Sequence, residues 1–133
     1  MANEAVILEL NENSNAKQYT CAAGTAISKG TLLKISGDNT VSASAASDVY
    51  AGVAAMDKSI SDDTSTKISV YVPGSGNKFD MTCAGEAVTL GAVVVLSGAN
   101  LIRNAIAADL LLGKIIGTAQ EAGSAGEVIS VLS

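Results

Sequence analysis

Between Lys67 and Val72 apolar and polar residues alternate: Ile68, Val70 and Val72 fall on one side, Lys67, Ser69 and Tyr71 on the other. That is the period of a strand with one buried face. Glu127 to Leu132 is the corresponding strand of a second copy, without that strict alternation. Two further β-rich runs, Thr31 to Ile35 and Ala92 to Leu96, each follow a glycine and lead into Ser-Gly-x-Asn, at Ser36–Asn39 and Ser97–Asn100. Gly and Asn tolerate positive φ, so each run should turn tightly and return along Thr40-Val41 or Leu101-Ile102. Ala-rich stretches follow, Ser42 to Tyr50 and Asn104 to Leu112, each with room for one or two helical turns before Gly52 or Gly113. The second is the better helix, with Asn104 as its expected cap. Val53 to Met56 and Lys114 to Ile116 read as short strands, and polar loops, Asp57 to Thr66 and Thr118 to Gly126, lead to the final strands.

These elements come in the same order twice. Shifting the chain by 61 residues lays Cys21–Val72 over Thr82–Ser133 with 13 identities in 52 positions. Four of these are glycines (Gly24/Gly85, Gly30/Gly91, Gly37/Gly98, Gly52/Gly113), and Ile68-Ser69-Val70 matches Ile129-Ser130-Val131 as a block. Abundant alanine does not by itself produce such matches, so we read a structural duplication. The expected fold class is mainly β: a small barrel-like or sandwich-like domain of two similar halves of about 50 residues, with one or two short helices. Residues 19–133 form this domain, with repeats at 21–72 and 82–133. Pro73-Gly74-Ser75-Gly76-Asn77 is the joint. Residues 1–18 are an N-terminal arm outside the repeat. The arm carries Val6, Ile7, Leu8 and Leu10, which a free tail would leave wet. It can pair as an edge strand in its own chain or add to the sheet of a partner.

Composition narrows the chemistry. Ala, Gly, Ser and Thr make up 44% of the chain, and there is no Trp and no His. The core must be built from small and β-branched side chains, and no imidazole base or His metal ligand is available. Cys21 and Cys83 lack the spacing of a zinc set; they read as small buried thiols or as a disulfide, within or between chains. A net charge of −5 with one Arg lacks the footprint of a nucleic-acid binder. The uncharged stretch Ala87 to Ile102 is too short and polar to span a membrane. Gly74-x-Gly76 is a turn rather than a phosphate loop. Asp57, Asp62, Asp63 and Asp80 are the residues a small hydrolase would draw on, yet they do not recur between the halves. What recurs is Gly, Ala and β-branched residues, which serve shape. No catalytic, cofactor or metal site is expected, and the chain reads as a structural or interaction protein.

The stretch Gly30 to Gly74, with Ala51-Gly52-Val53-Ala54 and Asp62-Asp63-Thr64-Ser65-Thr66-Lys67-Ile68-Ser69-Val70, resembles the head decoration, or capsid cement, proteins of tailed bacteriophages. The second half, from Ala84-Gly85 to Gly126-Glu127-Val128-Ile129-Ser130-Val131, looks like the variant of that family that repeats the unit. The resemblance covers all but the arm. It implies a non-enzymatic virion protein on the outer surface of an assembled icosahedral capsid, stabilising it against internal DNA pressure. Its partners would be the major capsid protein and itself, as a homotrimer at three-fold or quasi-three-fold positions, with no cofactor, nucleic acid or membrane. Under this reading Val6, Ile7, Leu8 and Leu10 bind the capsid or an adjacent subunit. The other class is a repetitive β-domain of a phage fibre or tail, or of a bacterial surface array.

Overall fold

Eleven strands and one short helix occupy the described residues, 3–10, 16–59 and 66–133, of the computed structural model. Asp62 and Asp63, two of the acidic residues singled out above, lie outside them. Strand β1 is Val6–Glu9. Strands β2 (Lys17–Thr20), β3 (Leu32–Gly37), β4 (Thr40–Ala43), β5 (Tyr50–Ala54) and β6 (Lys67–Tyr71) close into a barrel in the order β2-β4-β3-β5-β6. Strands β7 (Lys78–Cys83), β8 (Val93–Gly98), β9 (Leu101–Asn104), β10 (Ile115–Ala119) and β11 (Val128–Leu132) form the second barrel. There β7 pairs with β11 on one edge and with β9 on the other. The fold is mainly β and built from two similar halves, as expected; each half closes on its own.

Closure follows the same plan twice. The first strand of each barrel meets the returning strand of the hairpin in parallel, Thr20 opposite Thr40 and Thr82 opposite Leu101. The hairpin turns place Asn39 at φ 47° and Asn100 at φ 59°, the left-handed conformation that asparagine tolerates. Both hairpins carry a bulge just before the turn. Inside the first barrel lie Cys21, Ile27, Leu33, Val41, Ala51, Ala54, Ile68 and Val70. Their counterparts Cys83, Val88, Val94, Ile102, Ile116, Ala119, Ile129 and Val131 are buried in the second. Most of these are small or β-branched because a five-stranded barrel encloses little volume, with Leu33 in the first half and Phe79, Met81 and Leu96 in the second as larger fillers.

The ungapped shift of 61 holds for the hairpins and the last strands but not throughout. Isolated bridges pair Ile27 with Lys58 and Val88 with Gly123, which sets the middle segments 65 apart. Gly52 lies opposite Leu33, and Gly117 lies opposite Val94. The partner of Gly52 is therefore Gly117, not Gly113. Tight packing explains both glycines: an added Cβ would collide with the carbonyl oxygen of Tyr71 at Gly52 and of Leu132 at Gly117. Gly52 is a strand interior and not a stop signal. On β2 and β7 the offset is 62, so Cys21 matches Cys83 rather than Thr82. The loop that follows is one residue shorter in the second half, and Gly24 (φ 74°) has no positive-φ counterpart at Gly85.

The four extra residues of the second half lie in the segment that forms a five-residue helix, α1 (Ala107–Leu111). Matched aspartates explain why only one half has it. Asp48 Oδ2 accepts hydrogen bonds from the Ala45 and Ala46 N–H groups at 3.1 and 3.0 Å, which folds the first Ala-rich segment into a turn. Asp109 Oδ2 accepts from Ile106 N–H at 2.9 Å and so caps the helix from its first turn. Asn104 is not the cap; it accepts from Thr89 N–H and donates to the Ala87 carbonyl.

Candidate partner-binding surfaces

Three surfaces carry the features on which an interaction protein depends. The first is the N-terminal arm. Residues 6–9 pair antiparallel with β7, Val6 opposite Asp80 and Ile7 opposite Phe79. Just upstream, the Ala5 N–H donates to the Gly30 carbonyl at 2.7 Å. Gly30 has φ 90°, and a Cβ there would collide with the Ala5 carbonyl. The arm thus bridges both barrels. Strand alternation divides its apolar residues: Ala5 is buried and Ile7 packs against the core, whereas Val6 (57% exposed), Leu8 and Leu10 face outward. Of the four arm residues singled out from the sequence, Ile7 is used within its own chain and three remain available.

The second surface is α1 and its flanks. Ile106, Leu110, Leu111 (88% exposed) and Leu112 are all exposed. The helix is anchored by Arg103, whose Nη1 donates to Asp109 Oδ2 at 2.8 Å and whose Nη2 donates to Asp109 Oδ1 at 3.2 Å. The Arg103 hydrogen bond, with that from the Ile106 N–H, holds the buried Asp109 carboxyl below the ordinary carboxylate range. Arg103 Nη2 also donates to Ser47 Oγ in the first barrel at 3.0 Å. A rigidly held segment with an apolar exterior is a surface suited to burial against a partner. The hydropathy pattern alone does not mark these residues as exposed, because Ile106 and Leu110, four apart, fall on one face of a helix. The four-residue insertion that carries them shows only once the strands are paired.

The third is the contact between the barrels, which shows how this fold binds a barrel. Leu32, Tyr50 and Val53 point away from the first barrel and join the core of the second, with Phe79 and Leu96. Tyr71 packs against Phe79 at 6.1 Å between ring centres. Leu32 N–H donates to Asn100 Oδ1 at 2.8 Å, and Ser44 Oγ donates to the Gly98 carbonyl at 3.1 Å. The side of one barrel therefore caps the open end of the other. Tyr50 is buried there with its hydroxyl beside Ser133, outside hydrogen-bonding geometry, and burial pushes its phenol above the usual value.

The residues with possible chemistry are dispersed. Cys21 and Cys83 are free buried thiols at matching places in separate barrels, and burial raises the Cys83 thiol. Asp57 Oδ1 accepts from the Lys29 N–H, a structural role, and Asp80 lies on β7 opposite Val6. Among the described residues no three His, Cys, Asp or Glu side chains gather as a metal site. No helix there is long and apolar enough to cross a membrane.

No protein-family model matches the sequence, and a comparison with curated proteins finds no match. Among solved structures the chain is similar to the N base of the head fibre protein gp8.5 of bacteriophage phi29. The TM-score is 0.54 at 17% identity, covering 88% of this chain and 92% of that one. At this identity the likeness is one of fold.

Proposed function

We propose that this chain is a structural protein of a phage head, a two-barrel module that binds the outside of the assembled capsid and reinforces it. The observation that carries this reading is the extent of the structural likeness. It spans nearly the whole chain, so the paired arrangement of barrels, and not merely one small barrel, is what resembles a head-fibre base. The physical design agrees. Matched positions serve packing and turns, and the arm and α1 turn apolar side chains outward, Val6, Leu8 and Leu10 in the one and Leu110 and Leu111 in the other. A protein that spans neighbouring capsid subunits resists outward movement because that movement must also break its contacts. Many copies on one lattice let modest contacts act together. The role needs no catalytic group, metal or cofactor, and we propose none.

In this reading the major capsid protein is the partner and the bound form is a homotrimer at three-fold or quasi-three-fold positions. Val6, Leu8 and Leu10 face the shell. Co-sedimentation with preformed shells tests this. The triple variant Val6→Ser/Leu8→Ser/Leu10→Ser should keep its melting temperature and lose shell binding; retained binding overturns the arm's role. No binding by the unaltered chain overturns the function.

The alternative reading is a fibre module, which the same fibre-base neighbour supports as well. Heating DNA-filled shells separates the two. A reinforcing protein raises the temperature of DNA release, whereas a fibre base binds without changing it.

A further inference from the structure

The contact between the barrels is heterologous: the side of the first covers the end of the second. Because the halves are repeats, each surface in that contact has a counterpart elsewhere on the chain. The side of the first barrel uses Leu32, Tyr50, Val53 and Tyr71. Ladder register matches these to Val93, Ile115, Thr118 and Leu132 on the second barrel. Ile115 is 41% exposed and Leu132 is 44% exposed. They line one shallow apolar depression with Gly117 and Pro73. The leucines of α1 precede Ile115 directly in the chain and are exposed as well. In the same way, the covered end of the second barrel uses Leu96 and Asn100, whose counterparts on the first are Ile35, 43% exposed, and Asn39, also exposed. The backbone repeats too: Ala105 N–H donates to the Val93 carbonyl as Ser44 N–H donates to that of Leu32.

We propose that two copies of this chain associate head to tail by repeating the contact that each already makes within itself. The side of the second barrel of one copy caps the open end of the first barrel of the next. Ile115 and Leu132 then meet Ile35, and Asn39 accepts from the Val93 N–H as Asn100 does from Leu32. The occupant is a second copy because the chain already displays a surface that fits this one, the side of its own first barrel on the end of its second. Ile115 and Leu132 on the donor face and Ile35 on the receiving end are exposed apolar side chains that sit where that fit needs them. A heterologous contact closes into a ring or continues as a filament. This names the contact that the trimer proposed above would use, but it is tested without shells. Self-association without shell binding would leave it standing while removing the proposed function.

Ile115→Asp disables the donor face and Ile35→Asp disables the receiving end. By sedimentation, the unaltered chain should form species larger than a monomer, with mass rising with concentration until a ring closes. Each variant alone should be a monomer. An equimolar mixture should form a dimer and nothing larger, because one intact face of each kind remains. Leu132→Lys should behave as Ile115→Asp does, and Ile35→Lys as Ile35→Asp, should an aspartate variant fail to fold. An unaltered chain that stays monomeric overturns the proposal. So do folded variants that associate like the unaltered chain, and so does a mixture that yields no dimer.

Discussion

Asn100 reaches out of its own barrel and accepts, at 2.8 Å, a hydrogen bond from the backbone N–H of Leu32 in the other. Its repeat counterpart, Asn39, occupies the same left-handed turn position but lies exposed. Identical residues in identical turns thus do different work, since only one of them faces a barrel of the same chain.

That difference is measurable. Asn100→Gly keeps the turn but leaves a buried N–H without its acceptor, which should cost about 1–3 kcal/mol. Asn39→Gly should stay within about 0.5 kcal/mol of the unaltered chain. Urea melts of both variants check this; equal effects would mean that the Asn100 bond contributes nothing.

Tyr50→Phe should be neutral or stabilising. The hydroxyl is buried without a partner, so its removal relieves a desolvation cost. The phenol ionises at higher pH in the folded chain than in the unfolded one. The corresponding stability is complete below the unfolded value of about 10 and is lost as pH rises above it. Tyr50→Phe should therefore lose less stability between neutral and strongly alkaline pH, as read from thermal melts across that range.

Asp109 gives the opposite dependence. Its folded-state ionisation is lowered, mainly by Arg103. Its contribution is thus complete above the unfolded value of about 3.9 and is lost as pH falls through the folded value. Asp109→Asn should lower neutral-pH stability by about 1–3 kcal/mol, and the gap to the unaltered chain should shrink as the solution is acidified. A gap that is constant with pH would show that the carboxylate charge is not what holds the helix.

The repeat register can be tested at its glycines. Gly117→Ala forces a Cβ into the Leu132 carbonyl and should cost at least about 1–3 kcal/mol, as overpacking does. Gly85→Ala meets open space and should leave the melting temperature nearly unchanged. Equal tolerance at both positions would remove the tight β10–β11 approach on which the register rests.

How much of this was legible beforehand follows from how local each signal is. The alternation of Ile68 and Val70 and the positive-φ turns at Asn39 and Asn100 are written in adjacent residues, so the hairpins, the middle and last strands of each half and the duplication could be read directly, whereas β2 and β7 could not. The expected core of small and β-branched residues is met in part, because Leu32, Leu33, Tyr50, Phe79, Met81 and Leu96 are buried as well. The match of Gly52 to Gly117 instead of Gly113 was hidden, because four inserted residues leave no trace until strand pairing shows which glycine faces which carbonyl. Tertiary pairing settles that each half closes by itself, since closure depends on Thr20 meeting Thr40 and Thr82 meeting Leu101 across long separations. It also divided the arm, with Ile7 inward and Val6, Leu8 and Leu10 outward. An apolar run states that burial is favourable; the edge it pairs with determines which side chains are buried.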